Sequence, residues 1–196
     1  MGVLIAFEGL DQSGKETQAR GLRRRLEQDG RRVHSLSFPE YDTPIGVEIA
    51  KALAGDREFG PDVMQLLYVA NRCEFRPKLN TWLANGDIVI CDRYRASSVA
   101  YGEAQGLDVE WLTLVQRYLP EPTMTILLDI APETAVSRKT AGRDRYERDL
   151  EMLRRVRESY RRQAVQSDWI VIDGAQSKEQ VAASVEQAVR PRLAQS

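Results

Sequence analysis

Short apolar runs recur along the chain at wide intervals, at residues 3–7, 33–37, 88–91, 125–128 and 169–172. Each is brief and almost continuously apolar, the pattern of a strand buried on both faces. Between them, apolar residues return every three or four positions in 17–28, 61–84, 109–118, 147–166 and 178–193, which predicts helices. Strands alternating with helices predict an α/β fold: a five-stranded parallel sheet with helices on both faces.

Composition narrows this to one domain over residues 1–196, since 42% hydrophobic residues fill a sizeable core and no linker, repeat or compositional break divides the chain. The 28 Lys and Arg balance 29 Asp and Glu, so a net charge of −1 gives no reason to expect nucleic acid or a membrane surface as partner. Cys73 and Cys91 lie in apolar surroundings without metal-ligand spacing, as reduced thiols would. The first apolar run meets Glu8 too soon for a signal segment or a membrane span, so the expected location is the cytoplasm. An Arg-rich stretch covers 138–162; in its later part Met152, Leu153, Val156 and Tyr160 keep helical spacing, and the arginines there read as a solvated helix face.

The sharpest chemical feature follows the first strand: Gly9, Leu10, Asp11, Gln12, Ser13, Gly14, Lys15, Glu16 and Thr17, opening a helix. Two glycines bracketing such a loop let backbone N–H groups converge on phosphate oxygens, and the helix N-terminus adds partial positive charge. This is a P-loop context in which Lys15 holds the β- and γ-phosphates of ATP. The pattern departs from the usual G-x-x-x-x-G-K-[ST] at Glu16, which stands where a hydroxyl normally meets Mg²⁺. Thr17 is rotated by roughly 100° along the helix and is no simple replacement. A carboxylate suits Mg²⁺, but without metal it repels phosphate.

Further strings extend the picture: Phe7 to Lys15, Phe38-Pro39-Glu40, Leu67-Tyr68-Val69-Ala70-Asn71-Arg72, Asp92-Arg93-Tyr94 and Asp144-Arg145-Tyr146-Glu147. In this order and spacing the chain resembles the thymidylate kinase family across nearly its whole length. The resemblance implies a P-loop NTPase fold with a short Arg-rich lid at about 138–148, and transfer of a phosphoryl group from Mg–ATP to dTMP. It brings Asp11 near the deoxyribose and acceptor phosphate, makes Asp92 a carboxylate for water-coordinated Mg²⁺, and makes Arg93 a clamp on the acceptor phosphate. Tyr68 would stack on thymine and Arg72, one turn later, would meet its carbonyl.

Phe38, Pro39 and Leu53 match further pocket positions, although Phe38 and Leu53 fit the core equally well. Ser97, Ser98 and Tyr101 match the helix after Asp-Arg-Tyr, and the Tyr101 ring would exclude a ribose 2′-hydroxyl. Tyr41 takes a position where some relatives carry an arginine, Gly102 one where glutamine is frequent, and Tyr146 belongs to the lid string. With Gln12 in the P-loop, the charge for the transition state falls to Arg143 and Arg145, with Arg138 near the ATP side. The loop 173–176 is a candidate for adenine contact or a plain turn, and His34 reads as structural. The resemblance further implies a homodimer, for which 63–83 offers a face unless it lies within the core. Two alternatives remain: a nucleotide-binding relative weakened by Glu16, or a kinase of another deoxynucleoside monophosphate.

Overall fold

The computed structural model describes residues 2–138 and 149–193. Along these residues run β1 (Val3–Glu8), α1 (Lys15–Gln28), β2 (Val33–Ser37), α2 (Pro44–Ala54), α3 (Pro61–Glu74), α4 (Arg76–Ala84) and β3 (Ile88–Asp92). They continue with α5 (Arg95–Ala104), α6 (Val109–Leu114), β4 (Met124–Asp129), α7 (Pro132–Arg138), α8 (Leu150–Gln166), β5 (Ile170–Asp173) and α9 (Lys178–Leu193). The five strands form one parallel sheet in the order β2-β3-β1-β4-β5, so the α/β sheet expected from the apolar runs is present.

β1 is the central strand and is buried throughout. Successive side chains point to opposite faces, and the packing follows that alternation. Val3, Ile5 and Phe7 join Leu22 and Leu26 of α1 and Val181, Val185 and Val189 of α9. Leu4 and Ala6 join Val89, Cys91, Leu79 and Phe38 on the other face. A further cluster packs Ala100 and Ala104 of α5 against Leu153, Val156 and Tyr160 of α8, so the apolar stripe of the Arg-rich helix is core and its arginines lie mostly outside.

The chain leaves β1 toward β2 on one side of the sheet and later returns on the other side through β4. The carboxyl ends of β1 and β3 therefore open on a crevice where the order of strands reverses, the usual place for a ligand in an open parallel sheet. The P-loop follows β1 and Asp92 ends β3.

The long helix predicted over 61–84 is two helices. Pro77 in the first turn of α4 has no N–H to donate to the preceding turn, and Phe75 caps both segments at φ −93°. The helix predicted to end at 118 ends at Leu114. α2 was not foreseen, although Thr43 accepts a hydrogen bond from Gly46 N at 3.0 Å, Pro44 opens the first turn and Gly55 ends the helix at φ 92°. His34 stacks on Trp82 at 4.1 Å between centroids and bonds Asp87 at 2.9 Å, as a structural residue.

Candidate active site

The loop after β1 needs its glycines. Gly9 has φ 138°, and a Cβ there would stand 2.5 Å from the Leu128 carbonyl oxygen. Gly14, at φ 97°, is the N-cap of α1; Gln12 between them is also left-handed, at φ 63°, a conformation that costs a residue with a Cβ about 1 kcal/mol. Lys15 begins the helix, is buried, and donates from Nζ to the Leu10 carbonyl at 2.7 Å. Burial, helped by the nearby Arg93 charge, brings its pKa down to about 8 despite Asp11, Asp92 and Glu8. Arg138 ties the loop to the far side of the crevice, donating to the Gln12 carbonyl at 3.0 Å and the Gly174 carbonyl at 2.9 Å. Gln12, Gly14, Lys15, Arg138 and Gly174 line a cavity of about 760 Å³ that also reaches Glu16, Thr17, Gln176, Ser177 and Lys178, while Gly9 and Leu10 lie behind it.

At the inner end of this cavity lies a charged cluster. Arg93 holds a left-handed backbone, φ 62°, and its N–H donates to the Phe7 carbonyl at 2.9 Å, which turns the chain out of β3 and aims the guanidinium into the crevice. Its Nη2 donates to Asp11 Oδ1 at 2.7 Å and Tyr101 OH at 3.2 Å, and its Nη1 to Ser97 Oγ and Tyr160 OH, each at 3.2 Å. Burial opposes the Asp11 charge, but Arg93 and Lys15 overcome it and hold that carboxyl well below the usual carboxylate range.

Behind the arginine sits Glu8, with no exposed surface. Its carboxylate accepts from the Tyr94 N–H at 2.9 Å, from Ser97 Oγ at 2.6 Å and from Tyr160 OH at 3.3 Å. Neither Glu8 nor Tyr160 was singled out from the sequence, because one closes an apolar strand and the other sits on an apolar helix stripe. Only the fold, joining β1 to α8, shows that both brace Arg93.

A second cavity of about 110 Å³ adjoins the first through Asp11, Phe38, Pro39, Tyr41 and Arg93. Its walls include Leu53, Tyr68, Arg72, Ser97, Ser98 and Tyr101, so every acceptor-pocket residue expected from the sequence, Tyr146 apart, meets here. Arg72 is buried and donates from Nη1 to Ser98 Oγ at 2.8 Å, with its guanidinium 5.8 Å from the Phe38 ring centre. Phe38 serves both readings, packing edge-on against Phe75 while facing the cavity. Gln65, one turn before Tyr68 on α3, also lines this cavity and was not anticipated.

Asn71 fixes the loop that carries Phe38 to Tyr41. Its Oδ1 accepts from Glu40 N at 2.8 Å, and its Nδ2 reaches the Glu40 carbonyl at 3.0 Å, Thr43 Oγ1 at 3.0 Å and Glu74 Oε2 at 3.1 Å. Gly46 completes the turn, since a Cβ there would stand 1.9 Å from the Glu40 carbonyl oxygen. Gly102 cannot grow toward the site, because its Cβ would lie 2.6 Å from Leu112 Cδ2.

For a divalent cation the candidates are unequal. Asp92 is partly buried, and among the described residues its Oδ1 has no hydrogen-bond partner. Burial raises its pKa against the pull of Lys15 and Arg93, with the Asp11 charge and then the Glu16 charge adding to that rise. Glu16 is exposed, its carboxylate 3.6 Å from Arg20 Nη1. Among the described residues no three His, Cys, Asp or Glu gather as a cage. One buried oxygen and one exposed carboxylate beside a phosphate cradle fit Mg²⁺ carried by a nucleotide, which keeps most of its ligands as water and phosphate.

Among the expected site residues, Leu10 turns its side chain into the core and offers the site only its carbonyl. Ser13 Oγ is buried without a partner among the described residues. Arg143, Arg145 and Tyr146 lie outside the described residues.

A phosphate cradle with a lysine, facing an arginine-centred acceptor pocket across the carboxyl edge of a parallel sheet, defines a P-loop nucleotide phosphotransferase. The family model for thymidylate kinase matches residues 7–185. A thymidylate kinase of Arabidopsis thaliana is 36% identical over 188 residues, covering 96% of this chain and 71% of the relative. A probable thymidylate kinase of Saccharolobus solfataricus is 34% identical over 190 residues, covering 97% and 96%. The solved thymidylate kinase of Candida albicans superposes with a TM-score of 0.83 at 28% identity over 97% of this chain and 92% of its own. The chain belongs to the thymidylate kinase family.

Proposed function

We propose that this chain moves the terminal phosphoryl group of ATP onto dTMP, giving dTDP, with the residues above in the following roles. The observation that carries the proposal is the position of Arg93. It stands between the P-loop and the base cavity, already paired to Asp11 and Tyr101 and braced by Glu8 through Ser97 and Tyr160. A phosphate on a nucleotide whose base fills the smaller cavity reaches this guanidinium.

Phosphoryl transfer has a dispersed negative charge in its transition state, so positioning and fixed positive charge do most of the work. Lys15 leaves the Leu10 carbonyl for the β- and γ-phosphates of ATP, backbone N–H groups from Gln12 to Lys15 cradle them, and Arg138 flanks the donor side. Arg93 clamps the acceptor phosphate. Asp11 accepts from the sugar 3′-hydroxyl while keeping Arg93 in place. Tyr68 covers the base, Arg72 meets its carbonyl, and the Tyr101 ring leaves no room for a 2′-hydroxyl. Asp92 would hold the nucleotide's Mg²⁺, with Glu16 at its edge; the ion offsets phosphate charge when bound.

Several finer points belong to the same proposal. Val63 and Leu66 of α3 remain half exposed while Met64, Gln65 and Val69 are buried, so the helix keeps an outward apolar face for a homodimer. Among the described residues no helix is long and apolar enough to cross a membrane, and Cys73 and Cys91 are free thiols, in keeping with a cytoplasmic enzyme. The test is incubation with dTMP and ATP labelled at the γ-phosphate. Label should appear in dTDP; label only in free phosphate would contradict the proposal.

A further inference from the structure

Gln65 is fully buried, yet among the described residues neither its Nε2 nor its Oε1 has a hydrogen-bond partner. Buried amides are almost always satisfied, because each lost hydrogen bond to water is otherwise uncompensated. A methionine or leucine would fill the same volume without that loss, so the amide calls for a partner that arrives from outside. Its surroundings say where. Gln65 lines the 110 Å³ cavity together with Tyr68, Arg72 and Ser98. Residues 65, 68 and 72 fall at i, i+3 and i+7 of α3, on one face of the helix.

The chemistry of a thymine edge supplies the partner. Its imide presents an N3–H donor between two carbonyl acceptors. Arg72 can only donate, and its Nη1 already donates to Ser98 Oγ, so the guanidinium can satisfy a carbonyl but not the N3 proton. An amide carries an acceptor and a donor side by side, the complement of N3–H next to C=O.

We propose that Gln65 reads the base of the acceptor nucleotide, its Oε1 accepting the N3–H of the pyrimidine and its Nε2 donating to the adjacent ring carbonyl. With Arg72 on the other carbonyl, the pair specifies thymine or uracil. A cytosine would set its amino group against the Arg72 donors even if the Gln65 amide turned over. The inference rests on dTMP being the acceptor and names a specificity residue for it.

The experiment uses the full chain and its variant Gln65→Met. Expected is a rise in KM for dTMP of about tenfold or more, with kcat within about threefold and KM for ATP unchanged. The ligand-free variant should melt at the same or a higher temperature, because an unpaired amide has gone. On the wild type, 3-methyl-dTMP, which lacks the N3 proton, should bind far more weakly than dTMP by calorimetry, and the variant should lose much of that difference. A variant whose KM for dTMP stays within about twofold of wild type would overturn the proposal. So would a variant that melts lower and loses affinity for both nucleotides alike, the mark of a structural residue. Should the variant not fold, equal affinity of the wild type for dTMP and 3-methyl-dTMP overturns it. A wild type that binds dTMP with this discrimination but transfers no phosphate would count against the proposed reaction and for Gln65.

Discussion

Arg93 is bound to Asp11: Nη2 stands 2.7 Å from Oδ1, and the Tyr101 hydroxyl meets the other carboxylate oxygen at 3.3 Å. For the proposed role of Arg93 as clamp on the acceptor phosphate, a buried guanidinium fixed by a carboxylate on one side and hydroxyls on the others would need little reorganisation at the moment of transfer.

That arrangement depends on a planar fork. Arg93 meets Asp11, Ser97, Tyr101 and Tyr160 at once, and an ammonium on a shorter stem cannot span them. Arg93→Lys should lower kcat/KM for dTMP by about 100-fold or more while changing KM for ATP little. Steady-state kinetics with each substrate varied checks this, and a loss under about threefold would show that charge alone suffices.

Lys15 provides a pH signature. Its pKa in the folded chain, about 8, lies below the ordinary lysine value of 10.5 that an unfolded chain shows. Above pH 8 the folded state releases this proton first, so the unfolded state binds more protons and stability rises with pH until about 10.5. Below pH 8 the buried charge costs on the order of 3 kcal/mol. Lys15→Met should therefore be inactive yet more stable than wild type at pH 7, with the gap narrowing from pH 8 to 10.5 in denaturant titrations. In the active enzyme, kcat/KM for ATP should fall as pH rises through about 8, and kcat should fall only at higher pH, because bound phosphates favour the ammonium. A flat kcat/KM profile across that range would count against the buried position of Lys15.

Asn71 acts through the loop it holds. Asn71→Ala leaves the Glu40 N–H without its side-chain partner and the Glu40 carbonyl with only the Thr43 hydroxyl at 3.3 Å, and should cost about 1–3 kcal/mol of stability. Because that loop carries Phe38, Pro39 and Tyr41 into the acceptor pocket, KM for dTMP should rise about tenfold while KM for ATP moves less than about twofold. Denaturant titration and the two KM values together check it; equal changes for both nucleotides would contradict a selective effect on the pocket.

The metal reading ranks its two carboxylates. Asp92→Asn should raise the Mg²⁺ concentration for half-maximal rate by about tenfold, as expected when a ligating or supporting carboxylate is lost. Glu16→Gln should raise it less, because that side chain is exposed and paired with Arg20. A Mg²⁺ titration of both variants decides, and the reverse order would make Glu16 the main metal carboxylate.

The parts of this molecule that were legible in the sequence are local or periodic. The P-loop shows because its glycines, lysine and flanking strand and helix are contiguous, and the five strands because each is a compact apolar run. Tyr68 and Arg72 show through family resemblance, as do Arg93 and Tyr101. What stayed hidden depends on partners far apart in the chain. Glu8 looks like the end of a strand until α8 brings Tyr160 to it, and Asn71 looks like a helix filler until the Glu40 loop closes on it. Gln65 is an ordinary glutamine in sequence, and only its burial without a partner marks it. The break between α3 and α4 had a visible cause in Pro77, which the apolar periodicity over 61–84 obscured.

The central claim, that the pocket beside Arg93 takes dTMP, is tested most directly by a coupled ADP-release assay over dTMP, dUMP, dCMP, dGMP and the ribose analogue of dTMP. The account predicts the highest kcat/KM for dTMP, lower values for dUMP and much lower ones for dCMP and dGMP. It also predicts near exclusion of the ribose analogue by the Tyr101 ring. ADP release that is independent of dTMP, or equal use of the ribose and deoxyribose forms, would contradict it.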